Sequence, residues 1–151
     1  MSDPKSSSHF TKAPPLIGAL LRMPWEIVQN RMLERLHESG FDDFDAAHLR
    51  VFQYPGPQGA RPSDLAAQLR ISKQALNYLL TQLEQLDYLE RRPDPDDKRS
   101  KRIVLTPRGT AAIRVIRRAV RELETAWTKQ LGPKRFAQLR ELLLELNSPS
   151  T

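Results

Sequence analysis

Ser72-Lys-Gln-Ala-Leu-Asn-Tyr-Leu-Leu-Thr-Gln-Leu-Glu-Gln-Leu86 is followed, six residues on, by Arg92-Pro-Asp-Pro-Asp-Asp-Lys-Arg-Ser-Lys-Arg102. In the first run Leu76, Leu79, Leu80, Leu83 and Leu86 recur at steps of three or four, the spacing of one helix face. Lys73, Gln74, Asn77, Tyr78 and Thr81 recur on the other face, and Ser72 suits the N-cap. A plain solvated surface shows the same pattern, but this one holds no acid before Glu84 and is rich in side chains that donate to or stack on base edges. Tyr88–Arg91 and Lys101–Leu105 then read as two short antiparallel strands, with Pro93 and Pro95 keeping the tip between them out of any ladder. A polar-faced helix running into a basic hairpin suits a duplex nucleic acid.

Upstream, Pro62 suits the first position of a helix carrying Leu65, Ala66 and Leu69, and Asp64 supports its start. Arg70-Ile71 leaves only a brief turn before Ser72, which is helix-turn-helix spacing. Asp45 can cap a further helix from Ala46 to about Tyr54, and Pro55-Gly-Pro-Gln-Gly59 breaks the chain into a turn. Before that lies a long helix whose Ile17, Leu21, Trp25, Val28, Met32 and Leu36 form one stripe. Pro24 should bend it and Gly40 end it.

Downstream, Thr106-Pro107 starts a helix with a stripe of Ala112, Ile116, Ala119, Leu123 and Trp127, broken at Gly132-Pro133. A last helix carries Phe136, Leu139, Leu142, Leu143 and Leu146 and stops at Asn147-Ser-Pro149. The expected fold class is mainly α with a two-stranded β wing. Its divisions are a flexible tail (1–13), an N-terminal helix (14–40), a winged helix-turn-helix lobe (41–106), C-terminal helices (107–147) and a tail (148–151).

A chain of 151 residues is most simply one domain. Its lack of cysteine excludes disulfides, thiolate metal sites and thiol redox switches. His9, His37 and His48 are too scattered for a metal-ligand spacing, no apolar run approaches a membrane span, and the Ser-, Pro- and Lys-rich start does not resemble a signal peptide. A soluble intracellular protein with neither metal nor cofactor is the expectation. The net charge of +6 is modest, so its placement matters. Between Arg61 and Arg118 stand thirteen Lys and Arg against seven Asp and Glu, whereas the remainder has eleven of each. All the excess positive charge therefore lies in the segment holding the polar helix and hairpin, the usual footprint of phosphate binding.

Three pieces, Leu83-Glu-Gln-Leu-Asp-Tyr-Leu-Glu-Arg91, Asp94-Pro-Asp-Asp-Lys-Arg99 and Leu105-Thr-Pro-Arg-Gly109, stand in an order and spacing that resemble the MarR (multiple antibiotic resistance regulator) family of winged helix-turn-helix transcription factors. The likeness runs from Leu16 to Leu146. It implies a cytoplasmic, nucleoid-associated homodimer of prokaryotic type, held by its first, fifth and sixth helices, that binds double-stranded DNA at a pseudo-palindromic operator, in most relatives as a repressor. Half-sites would lie about one helical turn, or 10 bp, apart. Carried over by position, Ser72, Lys73, Gln74, Asn77 and Tyr78, with Thr81 on the same face, are candidates for the major groove; Gln74 and Asn77 suit bidentate contacts to adenine. Arg99 matches the wing-tip arginine and Asp97 the acid that orients it, while Lys98, Lys101 and Arg102 would meet phosphates. Asp87 stands where relatives usually have glycine, and Tyr78 where arginine is common.

The resemblance also implies release of DNA by a small aromatic or anionic effector, with Trp25, Met32, His48 and Phe52 as candidate lining residues; aromatics and methionine at helical spacing are more often core. An enzyme is not expected, because there is no cysteine, no glycine-rich phosphate loop and no Ser/His/acid grouping. The alternative is a winged-helix protein-interaction module without DNA binding, motivated by Asp94, Asp96 and Asp97 in the wing.

Overall fold

Caps and breakers set the element boundaries. Asp45 Oδ1 accepts the His48 N–H at 3.0 Å while His48 Nδ1 accepts the Asp45 N–H at 3.2 Å, a reciprocal cap. Ser72 Oγ accepts from Ala75 N at 3.1 Å, and Thr106 Oγ1 from Gly109 N at 3.0 Å. The computed structural model describes residues 13–52 and 59–148. The order is α1 (Ile17–Glu38), α2 (Ala46–Phe52), α3 (Pro62–Leu69), α4 (Lys73–Gln85), β1 (Leu89–Pro93), β2 (Lys101–Leu105), α5 (Pro107–Leu131) and α6 (Pro133–Asn147). This is the mainly helical winged helix-turn-helix expected of the sequence. The anticipated N-terminal tail up to residue 12, the end of α2 at Tyr54, the turn from Pro55 up to residue 58 and the last three residues lie outside the described residues.

The core sits in the lobe, where Leu76, Leu80 and Leu83 of α4 meet Leu65 and Leu69 of α3 and the buried residues of α2. Phe44 stands edge-on to both Phe52 and Tyr88, with ring centroids 4.9 and 4.7 Å apart. Each terminal helix buries only part of its stripe. Met32 and Leu36 of α1 are buried, whereas Ile17, Leu21 and Trp25 are exposed. Helix α6 buries no residue fully, and Leu139, Leu142 and Leu146 are exposed. Helix α1 continues through Pro24.

Two features of the hairpin differ from expectation. Tyr88 does not begin the strand; it is fully buried in the aromatic cluster, and β1 starts at Leu89. Pro93 belongs to the ladder, opposite Lys101. A proline is tolerated there because it ends an edge strand, where its missing N–H leaves no bond unmade. Beyond it the tip is closed by backbone bonds from Asp94 N to Ser100 O (3.1 Å) and from Ser100 N to Asp97 O (3.0 Å). Ala60 adds an unanticipated bridge on the far side of β2, exchanging backbone hydrogen bonds of 2.9 and 2.8 Å with Ile103. The chain just before α3 is thereby tied to the wing.

Candidate nucleic-acid interface

The turn between α3 and α4 is made by Arg70 in the left-handed conformation (φ 53°), after which the Ser72 cap starts α4. Because the leucines of α4 face inward, Lys73, Gln74, Asn77, Tyr78 and Thr81 all point to solvent, Tyr78 with 65 % of its surface free. Lys73, Gln74, Asn77 and Tyr78 form no side-chain hydrogen bond or ion pair with other described residues. Thr81 differs, since Arg91 of β1 donates to its Oγ1 at 3.3 Å and pairs with Glu84 at 2.5 Å. That arginine ties the wing to the outer edge of α4.

The anticipated pairing of Asp97 with the Arg99 side chain is not found. Asp97 Oδ1 instead accepts the Arg99 backbone N–H at 3.0 Å and Oδ2 the Ser100 hydroxyl at 2.9 Å. Within a tight turn an aspartate readily bonds the amide two residues on, which shapes the loop rather than the neighbouring guanidinium. The Arg99 guanidinium is exposed at the tip beside Lys98 and Lys101, and none of the three forms an ion pair among the described residues. Arg102, expected at a phosphate, turns inward: its Nε lies 3.5 Å from Asp94 Oδ1 and its Nη2 3.8 Å from Asp96 Oδ2.

Asp94 is why. Its residue surface is only 1 % exposed, and a buried carboxylate needs countercharge and hydrogen bonds. The Asp96 N–H donates to Oδ1 at 3.0 Å and Arg61 Nε to Oδ2 at 2.7 Å. The Asp96 amide does most to hold the Asp94 carboxyl below the usual carboxylate range; burial opposes it, and Arg61 and Arg102 add to the lowering. Arg61 immediately precedes α3. The α3–α4 pair and the wing are thus joined by an ion pair that sequence reasoning missed, since nothing local in the chain links positions 61 and 94.

A second cluster fixes the far end of α4. Arg108 Nη2 donates to Asp43 Oδ2 at 3.1 Å, its Nη1 donates to the Leu86 carbonyl, and its guanidinium lies 4.4 Å from the Tyr88 ring centroid. The Tyr88 hydroxyl donates to Asp43 Oδ1. Burial first, then the Asp43 carboxylate, push the Tyr88 phenol well above its ordinary value. Burial raises the Asp43 carboxyl, but its bonds from Tyr88 and Arg108 outweigh that and leave it lowered. Asp87 adopts φ 63° and offers its carbonyl to Thr106 Oγ1 at 2.5 Å. Gly109 packs so tightly that a Cβ there would lie 2.0 Å from the Tyr88 carbonyl oxygen. The Leu105-Thr-Pro-Arg-Gly109 motif is therefore a joint between α4, the wing and α5.

The four candidate ligand-cleft residues do not share a cavity. Met32 lines one with Ile113 and Ile116, and Trp25 lines another with Leu49, Arg50 and Leu69. His48 and Phe52 are buried in the lobe core, where His48 Nε2 bonds Gln82 Oε1 at 3.0 Å. Among the described residues no group of three or more acids and histidines could hold a metal ion, and no helix is long and apolar enough to cross a membrane.

The sequence model of the MarR family matches residues 43–100, which span α2 to the wing tip. Wild-type MarR from E. coli in its apo form is 27 % identical, with a TM-score of 0.67 over 91 % of this chain and 100 % of that one. CouR from Rhodococcus jostii RHA1, bound to p-coumaroyl-CoA, shares the fold at 20 % identity and a TM-score of 0.72, covering 93 % of this chain and 99 % of that one. A MepR mutant from S. aureus bound to an oligodeoxyribonucleotide does so at 21 % identity and a TM-score of 0.57, covering 88 % and 96 %. A search of curated proteins finds no significant match. The lobe thus matches the sequence model of the MarR family, and the chain shares its winged helix fold with solved MarR family regulators along nearly its whole length.

Proposed function

We propose that this protein is a transcription regulator, not an enzyme, that occupies a pseudo-palindromic operator as a homodimer and represses. The observation that carries this reading is a pair of exposed surfaces on one lobe whose side chains form no ion pair among the described residues: the acid-free face of α4 with Lys73, Gln74, Asn77 and Tyr78, and the wing tip with Lys98, Arg99 and Lys101. Arg91 ties the two together. In this reading α4 enters the major groove and the wing tip the adjacent minor groove, where a narrow, negative channel favours arginine. The exposed apolar residues of α1 and α6 favour a second copy of the chain.

The protein-interaction alternative loses its motive, because the wing acids are engaged within the lobe: Asp94 by Arg61, Asp96 by Arg102, and Asp97 by the Arg99 amide and Ser100. Control by a small effector forms part of the proposal on the example of CouR with its bound p-coumaroyl-CoA. The opening of about 310 Å³ lined by Trp25, Gln29, Leu49 and Arg50 combines an aromatic and a cation, and is the site we assign to an aromatic anion. Phenolic acids should raise the thermal midpoint and lower DNA affinity; a panel that changed neither would remove the effector from the proposal.

Selection of bound sequences from a random duplex library tests the function as a whole. The expected result is an inverted repeat with half-sites about 10 bp apart. Recovery of no enriched sequence would contradict sequence-specific binding.

A further inference from the structure

The cavity assigned to an aromatic anion shares a wall with the turn of the helix-turn-helix. Leu69, the last residue of α3, lines it together with Trp25, Gln29, Leu49 and Arg50. Arg50, in the last turn of α2, donates from Nη2 to the Leu69 carbonyl at 3.1 Å. It forms no ion pair among the described residues, so a neutral oxygen holds a guanidinium whose charge is still available.

A helix leaves its last four carbonyls without intrahelical partners, and what serves them fixes how the chain departs. At the end of α3 the Arg70 N–H donates to Ala67 O and the Ile71 N–H to Ala66 O, each at 3.2 Å, while the side chain from α2 serves Leu69. Arg70 then takes the left-handed conformation, φ 53°, and Ser72 caps α4 two residues later. A residue with a Cβ keeps that conformation only where its surroundings impose it. The direction in which α4 leaves α3 therefore depends in part on a guanidinium that also lines the cavity.

We infer that Arg50 is the positioning residue through which an anion in the cavity acts on α4. A carboxylate offers the guanidinium a charge-assisted, bidentate pair, stronger than a single bond to a neutral carbonyl. With the ring of the ligand against Trp25 and Leu49, Arg50 exchanges the Leu69 carbonyl for the carboxylate. The turn then loses its tie to α2, and Lys73, Gln74, Asn77 and Tyr78 lose their fixed aim. The inference rests on the effector proposed above and adds the route from its site to the DNA-facing helix.

The test uses p-coumarate as the probe and p-coumaramide as the same ring without the charge, both on the full chain. By calorimetry p-coumarate should bind; it should lower affinity for a library-selected duplex by about fivefold or more and speed amide hydrogen exchange at Arg70 and Ile71. The amide should do neither of the last two. Arg50→Met keeps an apolar stem without the guanidinium, and should show the weaker duplex binding and faster exchange with no ligand present, and no further response to p-coumarate. Arg50→Lys, which can still donate to the Leu69 carbonyl, should keep near wild-type duplex affinity, and a thermal midpoint close to that of the wild type shows that Arg50→Met is folded. A wild type that binds no p-coumarate would overturn the effector reading itself. Binding of p-coumarate that leaves the Arg70 and Ile71 amides unchanged, release of DNA by p-coumaramide as well, or an Arg50→Met variant with wild-type duplex affinity would overturn the role of Arg50 and leave the effector standing.

Discussion

Arg61 Nε lies 2.7 Å from Asp94 Oδ2, joining the residue before α3 to the base of the wing across 33 positions of sequence. The carboxylate is buried and the guanidinium is the stronger of its two arginine contacts, with Arg102 at 3.5 Å. Arg61→Ala leaves Asp94 underpaired, and a buried carboxylate without its partner destabilises its surroundings. Thermal unfolding should show a lowered midpoint, and duplex affinity should fall further than for an exposed lysine substitution such as Lys98→Ala. Equal effects of the two would mean that the ion pair does not hold the wing.

Acid should expose the same carboxylate. The folded Asp94 and Asp43 carboxyls are held below the ordinary value, so the stability they contribute is present above the unfolded pKa of about 3.9 and is lost as pH falls through the lower folded values. Denaturant titrations between pH 5 and pH 2.5 should show Asp94→Asn losing less stability than wild type over that window, although it starts lower. Parallel pH curves for the two would remove Asp94 from the acid response.

Gly109→Ala tests the joint beneath the wing. The added methyl would stand 2.0 Å from the Tyr88 carbonyl oxygen, backbone rather than a movable side chain, so α5 must shift. Overpacking of this kind costs about 1–3 kcal/mol, to be read from urea unfolding. Gly18, whose added Cβ would meet nothing within 4 Å, supplies the control: Gly18→Ala should be neutral or mildly stabilising.

Gln74 is exposed on the first turn of α4 and has no hydrogen-bonded side-chain partner among the described residues. If it reads an adenine, Gln74→Ala should lose about 1–3 kcal/mol of discrimination at one base pair of each half-site while non-specific affinity stays put. Competition binding with single-base operator variants measures this directly, and an unchanged preference at every position would assign Gln74 to plain surface.

How far the sequence could be read depends on distance along the chain. The caps at Asp45, Ser72 and Thr106 and the split face of α4 are local matters, and each stands as its residues suggest. Long-range partners were not legible. Asp94 looks like one more acid in a charged tip until Arg61 and Arg102 are brought to it, and Arg102 looks like a phosphate ligand until that acid is seen to be buried. Tyr88, β-prone by type, is taken from the strand by Phe44, Phe52 and the Asp43–Arg108 pair. His48 was open to more than one reading for a similar reason: its bonds to Asp45 and Gln82 inside the lobe bring in a partner 34 positions away.

The salt dependence of duplex affinity, measured for wild type and Arg99→Ala, bears most directly on DNA binding through the wing. Arg99 is exposed and forms no ion pair among the described residues, so its loss should change folding stability by no more than about 0.5 kcal/mol. Each phosphate contacted steepens the fall of log affinity with log salt by about 0.9, so the wild type should show a steep slope and Arg99→Ala a shallower one, with weaker binding to every sequence. A wild type without measurable duplex affinity at low salt would contradict the function, and a variant with wild-type affinity and slope would contradict the role of the wing.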